Sequence, residues 1–271
     1  MSKAGGIMDE QQRKRNLEKI QRMCLMDDVF FNVCLDDSPE CVELILQIVM
    51  DEPELKVQSV TTQRTITNLN YHGVRFDVMA TARGKVYDIE VQRADEGAIP
   101  QRARYNSYMI GVRELHSGKK YNELPESYVI FITAHDVIGD GLPIYHIDRV
   151  IRETGRAFAD GDHIIYVNGE NRDDTALGRL MQDFFCKEPN KMFYNALAKR
   201  ARYFKEDEIG VSKLSEITQQ LIDEGEMKGK ISMIIEMLKD NQSPTLIAKF
   251  SKFTVEKIKE IAKQNDIAIV E

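Results

Sequence analysis

The chain has few of the residues that build special frameworks. Its four cysteines, at 24, 34, 41 and 186, form no C-x-x-C pair and have no histidine pair nearby, so neither a zinc knuckle nor a dithiol motif is supported. Reduced, mostly buried thiols are expected. Only 7 Pro and 16 Gly stand against 42% hydrophobic and 30% charged residues, which excludes a disordered or collagen-like polymer. Long apolar runs are also missing. The longest, Cys41 to Met50, is interrupted by Glu43 and Gln47 and falls well short of the roughly 20 residues a bilayer demands. Residues 1–16 contain no apolar core of a secretory signal, so the expected address is the cytoplasm, with no membrane partner. Finally, 37 basic against 44 acidic residues give a net charge of −7, which argues against coating nucleic acid through bulk charge while leaving room for a local basic face.

What is present is a globular pattern of 271 residues, enough for one large domain or a medium domain with an appendage. Residues 1–26 are polar and charged and read as a frayed helix or tail. Ser38-Pro39 precedes apolar positions 41, 44, 45, 48 and 49 at helical spacing, which predicts a buried helix started by a capping serine and ended near Asp51 and Pro53. From Val57 to Arg93 the pattern turns β-branched and alternating, broken at Asn70–Gly73 and at Arg83-Gly84, so a three-strand meander is expected. A helix between Gly97 and His116 leads to the apolar strand SYVIFITA, then to LPIYHIDRVI and HIIYVNG as further strands. Helices near Ala176–Cys186 and Pro189–Phe204 complete an α/β domain with a mixed sheet, spanning 27–210. Residues 211–271 read as a helical appendage, entered through a linker or a long exposed helix around IDEGEMKGK.

The informative stretch is Arg75 to Arg93. Strand alternation puts Asp88, Glu90 and Gln92 on one face and Tyr87, Ile89 and Val91 on the other. Across the Arg83-Gly84 hairpin, Asp77 is brought near Glu90 on that same face. Two opposed carboxylates invite a hard cation, so a divalent ion, Mg²⁺ or Mn²⁺, held by Asp77, Glu90 and the Val91 carbonyl is the expected site. Such an ion suits phosphodiester hydrolysis, with Gln92 orienting a water or a phosphate oxygen but unable to act as a base. Asp88 on the same face is an additional candidate, whose plain alternative is an ion pair with Arg75.

Asp77, then Glu90-Val91-Gln92, with an acidic helix before and an arginine-bearing helix after, resembles the PD-(D/E)XK nuclease superfamily. Within it the chain is similar to the PD-(D/E)XK nuclease family transposases related to the recombination-promoting nucleases. Asp27-Asp28 with Phe30, Arg102, Arg104 and Tyr105, the Gly118–Tyr121 segment, and LPIYHIDRVIRETGRAFADGDHIIYVNG carry the likeness further, over about residues 26–210. The resemblance implies a restriction-endonuclease-like mixed sheet flanked by helices, Asp77 and Glu90 as metal ligands, and Gln92 in the superfamily's lysine position; it also makes Glu43 of the first predicted helix an additional candidate at the metal site, with a solvated stripe as the alternative. Phe76 replaces the motif's proline. The missing lysine removes a positive charge that would stabilise a phosphorane, and Arg93 or Arg104 could supply it.

Five basic residues, Arg102, Arg104, Arg113, Lys119 and Lys120, face only Glu114 between positions 101 and 120. This marks Arg102, Arg104, Lys119 and Lys120 as candidate DNA contacts, with surface salt bridges the alternative. SPTLIAKFSKFTVEKIKEIAK fits a helix-turn-helix and equally an amphipathic hairpin, so a homodimer is compatible with it. The expected activity is a metal-dependent DNA endonuclease of mobile-element or recombination type. The alternative is an inactive nuclease fold serving as a DNA-binding or oligomerisation module.

Overall fold

The computed structural model describes residues 10–66 and 74–269. These form two compact units, Met1–Leu214 and Ser215–Glu271. The expected Asn70–Gly73 turn lies outside the described residues.

In the first unit a sheet runs in the order β1 (Ser59–Ile66), β2 (Val74–Ala82), β3 (Lys85–Gln92), β4 (Ser127–Thr133), β6 (Asp162–Asn168), β5 (Ile144–Ile147). β1, β2 and β3 form the antiparallel meander, β3, β4 and β6 are parallel, and β5 returns antiparallel along the far edge. The β2–β3 hairpin closes through Arg83 (φ 49°) and Gly84 (φ 76°), a two-residue turn whose left-handed backbone matches the twist of the flanking strands. A parallel neighbour for β3 requires a crossover, and helix α4 (Pro100–Glu114) provides it, packing Ala103, Met109 and Ile110 onto Met79, Val129 and Phe131.

The opposite side of the sheet meets α2 (Asp28–Leu35) and α3 (Pro39–Val49), which pack in turn on α5 (Ala176–Phe185) and α6 (Asn195–Glu206). Ser38 is the N-cap of α3 by position, although its hydroxyl makes no capping bond. Helix α2 is absent from the sequence pattern because DVFFNVCL is buried from Phe30 through Leu35 and shows no polar face. Helix α1 (Glu10–Arg22) contacts α6 and buries Ile20, so its C-terminal part is packed on the domain. Lys205 of α6 is buried and spends its ammonium on the carbonyls of Met23 (2.6 Å), Lys187 (2.5 Å) and Gln21 (3.3 Å). Burial lowers its pKa.

Helix α7 (Glu208–Lys239) is continuous, and Asp223–Lys230 within it is exposed throughout. The second unit packs Ile234 and Leu238 of α7 against α8 (Pro244–Ser251) and α9 (Val255–Gln264) through Ile247, Ile258 and Ile261. Ser243 and Thr254 cap α8 and α9 by accepting the amides of Leu246 and Lys257.

Gly84→Val should strain the left-handed turn by about 1–2 kcal/mol. The expected fall in unfolding temperature, roughly 2–8 °C for a domain of this size, is read by calorimetry, and an unchanged temperature would show that the turn does not need glycine.

Candidate active site: two carboxylates at a fork in the sheet

The backbone ladder between β2 and β3 runs from Ala82↔Lys85 to Val78↔Ile89 and stops. Beyond it β2 stays with β1, through Phe76↔Arg64 and Arg75↔Thr65, while β3 stays with β4 as far as Gln92↔Thr133. The two strands therefore diverge, and Asp77 and Glu90 are the first residues past the fork. Peptide groups released from a ladder need new partners when buried. Glu90 Oε1 accepts the Asp77 amide at 3.1 Å, and Asp77 Oδ2 accepts the Val91 amide at 3.4 Å. Each carboxylate thus serves the opposite strand.

Gln92 sends its carbonyl toward β4, where the Ala134 amide donates to it at 2.9 Å. Peptide groups alternate direction along a strand, so the N–H and C=O of Val91 point the other way, into the fork. That direction agrees with the Val91–Asp77 bond.

The face carrying Asp77, Asp88 and Glu90 is covered by α4 rather than bathed in solvent, with Glu90 0% and Asp77 4% exposed. Asp88 is not the partner of Arg75. Its Oδ2 accepts from Asn106 of α4 at 3.2 Å, its Oδ1 is buried without a partner, and Arg75 reaches Asp28 at 3.1 Å instead. Arg102 also points inward: Nη2 lies 2.7 Å from Glu90 Oε2 and Nη1 donates to the Gly97 carbonyl at 2.9 Å, with the guanidinium over the Phe131 ring. It is therefore paired within the acidic cluster while still lining the cavity. Arg104, two residues along and on the other side of α4, is exposed, as are Lys119 and Lys120.

A cavity of about 860 Å³ opens at the fork, and Asp77, Val91, Gln92, Arg102 and Asn106 line it together with Asp27, Asp28, Arg75 and Arg93. Glu43 is elsewhere. It holds Lys56 at 2.8 Å and the Val57 amide at 3.0 Å, tying α3 to the chain that enters β1. The acid that a helix brings to the cavity is Asp28, at the start of α2, whose existence the sequence pattern conceals. Arg93 pairs with Asp27 at 2.9 Å and donates to Cys24 Sγ at 3.0 Å, so it lines the cavity while Arg104 does not. Gly97, Asn106 and Arg75 had no sequence signal beyond their place near the motif.

Electrostatics follow from this packing. Burial, then the nearby Glu90, raises the Asp77 pKa to about 8. Burial also raises Glu90, with Arg102 pulling it back down, and lifts Asp88 well above the usual carboxylate range with help from Glu90. Among the described residues, no three His, Cys, Asp or Glu side chains converge into a complete metal cage. Two mutually destabilised carboxylates beside a main-chain carbonyl are instead the partial, all-oxygen set that Mg²⁺ takes alongside water, so the donor chemistry suits a hard divalent ion.

A family model for PD-(D/E)XK nuclease family transposases matches residues 42–177, a stretch that contains the fork and α4. The chain belongs to this family. Its mixed sheet with helices on both faces is accordingly the restriction-endonuclease-like α/β fold of the PD-(D/E)XK nucleases. No curated protein and no solved structure matches the chain.

Asp77 binds a proton in the folded state up to about pH 8 but loses it near the ordinary 3.8 when unfolded. Between those values the folded form holds more protons, so its contribution to stability declines as pH rises through that window. The metal-free protein should lose thermal stability from about pH 5 to pH 8, and Asp77→Asn should flatten that slope. An equally steep slope in the variant would assign the effect to other groups.

Proposed function

We propose that the chain is a divalent-metal-dependent DNA endonuclease that hydrolyses phosphodiester bonds. The observation that carries this reading is the buried Asp77–Glu90 pair, set face to face where β2 and β3 part, with the Val91 carbonyl directed into the same gap. Family membership supports it. Asp77, Glu90 and the Val91 carbonyl would hold Mg²⁺ or Mn²⁺. When bound, such an ion supplies charge neutralisation at the phosphate and a lowered pKa for an attacking water.

The chain's own groups do the positioning. Gln92 orients the water or a phosphate oxygen through its amide. Arg102 stands within the acidic cluster and brings the positive charge that a glutamine in the lysine position cannot. Arg104, Lys119 and Lys120 are the exposed cations of α4 and the loop that follows it, and they serve as phosphate contacts.

The second reading, a nuclease fold retained as a DNA-binding module, has one observation in its favour. Arg102 and the two strand amides already satisfy much of both carboxylates without an ion. Cleavage of supercoiled plasmid separates the two. With Mg²⁺ or Mn²⁺ the native protein should nick or linearise the plasmid, Asp77→Ala and Glu90→Ala should each be inert, and Gln92→Lys should retain or raise activity. If native protein and Gln92→Lys are both inert with several metals on linear, supercoiled and single-stranded DNA, the binding-module reading replaces the enzyme.

Exchanging Arg104, Lys119 and Lys120 for Ala together should weaken binding to unrelated DNA sequences alike and flatten the salt dependence, by roughly 0.9 in log–log slope per lost phosphate contact. An unaltered slope in the folded variant would move the contact surface elsewhere.

A further inference from the structure

Between β3 and α4 the chain makes one short 3₁₀ turn, Asp95–Ala98, and two groups of the site meet on its Gly97. The Gly97 carbonyl accepts from Arg102 at 2.9 Å. Its Cα lies under the side chain of Gln92. A Cβ added there would stand 2.0 Å from Gln92 Oε1, 2.9 Å from Cδ and 3.5 Å from Cγ. Carbon and oxygen in ordinary contact sit more than 3 Å apart, so Gln92 could clear a methyl group only by moving its amide about 1 Å or more.

The need for glycine comes from Gln92, not from the backbone. Gly97 is absent from the left-handed residues, unlike Gly84, where the turn needs a positive φ and a Cβ would meet open space. An alanine at 97 therefore has an allowed backbone, and its clash is with the far end of a flexible side chain. Such a clash is relieved by rotation at little cost in stability. What it alters is where the amide points.

We propose that Gly97 is a positioning residue whose missing side chain seats the Gln92 amide on the turn, in register with the Arg102 guanidinium held by the same residue's carbonyl. The proposal rests on the nuclease reading for its effect on rate and on the close approach of Gln92 to Gly97 for its effect on Gln92. In a site where glutamine replaces a lysine, placement is all that the side chain contributes, since it carries no charge. Gln92 has two acceptor lone pairs and two donor hydrogens, and a displacement of 1 Å is enough to cost a positioned group about 100-fold in rate.

The test compares full-length Gly97→Ala, Gln92→Ala, Gln92→Asn and the two double variants. Three quantities are measured: plasmid cleavage with Mg²⁺, the unfolding temperature, and the side-chain ¹H–¹⁵N amide signals of Gln92, which are identified by their loss in Gln92→Ala. Gly97→Ala should shift the Gln92 amide signals while the unfolding temperature stays within about 2 °C, as expected for strain well under 1 kcal/mol. Its cleavage rate should fall roughly 10- to 100-fold, about as far as Gln92→Ala, and the Gly97→Ala/Gln92→Ala pair should be no slower than Gln92→Ala alone. In the Gln92→Asn background, where the clashing atom is withdrawn, Gly97→Ala should cost little. The proposal is overturned by unmoved Gln92 signals, by losses that multiply in the double variant, or by a fall in unfolding temperature that persists when Gln92 is Ala, which would mark Gly97 as a packing requirement. If native protein cleaves nothing, the nuclease reading fails, and the amide signals and unfolding temperatures still decide whether Gly97 seats Gln92.

Discussion

Everything at the site depends on the β2–β3 ladder ending where it does. A ladder continued past Val78↔Ile89 would pair the Val91 amide with the Phe76 carbonyl and leave no gap. Because it stops, the Asp77 carboxylate takes over the Val91 amide, Glu90 reaches across to the Asp77 amide, and the same divergence leaves room for a cavity. On either side of the fork each strand keeps its other neighbour: β2 stays with β1 in the antiparallel meander, and β3 stays with β4 in the parallel pair that α4 closes.

The second governing element is charge balance. Each arginine lining the cavity is paired with a carboxylate: Arg75 with Asp28, Arg93 with Asp27, Arg102 with Glu90. Among the described residues Asp77 has no such partner, and burial, then the nearby Glu90, displaces its pKa upward. A buried carboxylate is stabilised either by a proton or by a cation, and binding of a cation releases the proton. The two aspartates at the head of α2 matter here, because they occupy guanidinium groups that an incoming phosphate would also seek.

Much of this was legible in the chain. Period-two alternation and the Arg83-Gly84 turn were enough to place Asp77 opposite Glu90, since a hairpin with a two-residue turn has a single register. Alternation groups the acidic residues on one face but cannot say which face a helix will cover, so their burial beneath α4 is visible only in the fold. Nor does composition separate Arg102 from Arg104. Their roles differ by the angle between two positions on one helix, which only the docking of α4 on Phe131 and Glu90 determines. Glu43 was a candidate because it sits on the first helix with a visible amphipathic pattern. The helix that reaches the cavity is α2, which is buried too completely to show one.

The fork, its two carboxylates, Gln92, Gly97, Arg102 and Asn106 all fall between Asp77 and Asn106. Asp77 meets Glu90 at a sequence separation of 13, and Glu90 meets Arg102 at 12, whereas Arg200 reaches back 166 residues to the Cys34 carbonyl. Short loops cost little entropy to close, and contacts of this kind are accessible to the chain before distant ones form. The candidate centre is thus written largely in one uninterrupted passage of the polypeptide, a hairpin and the helix that folds back over it, to which α2 adds Asp27 and Asp28.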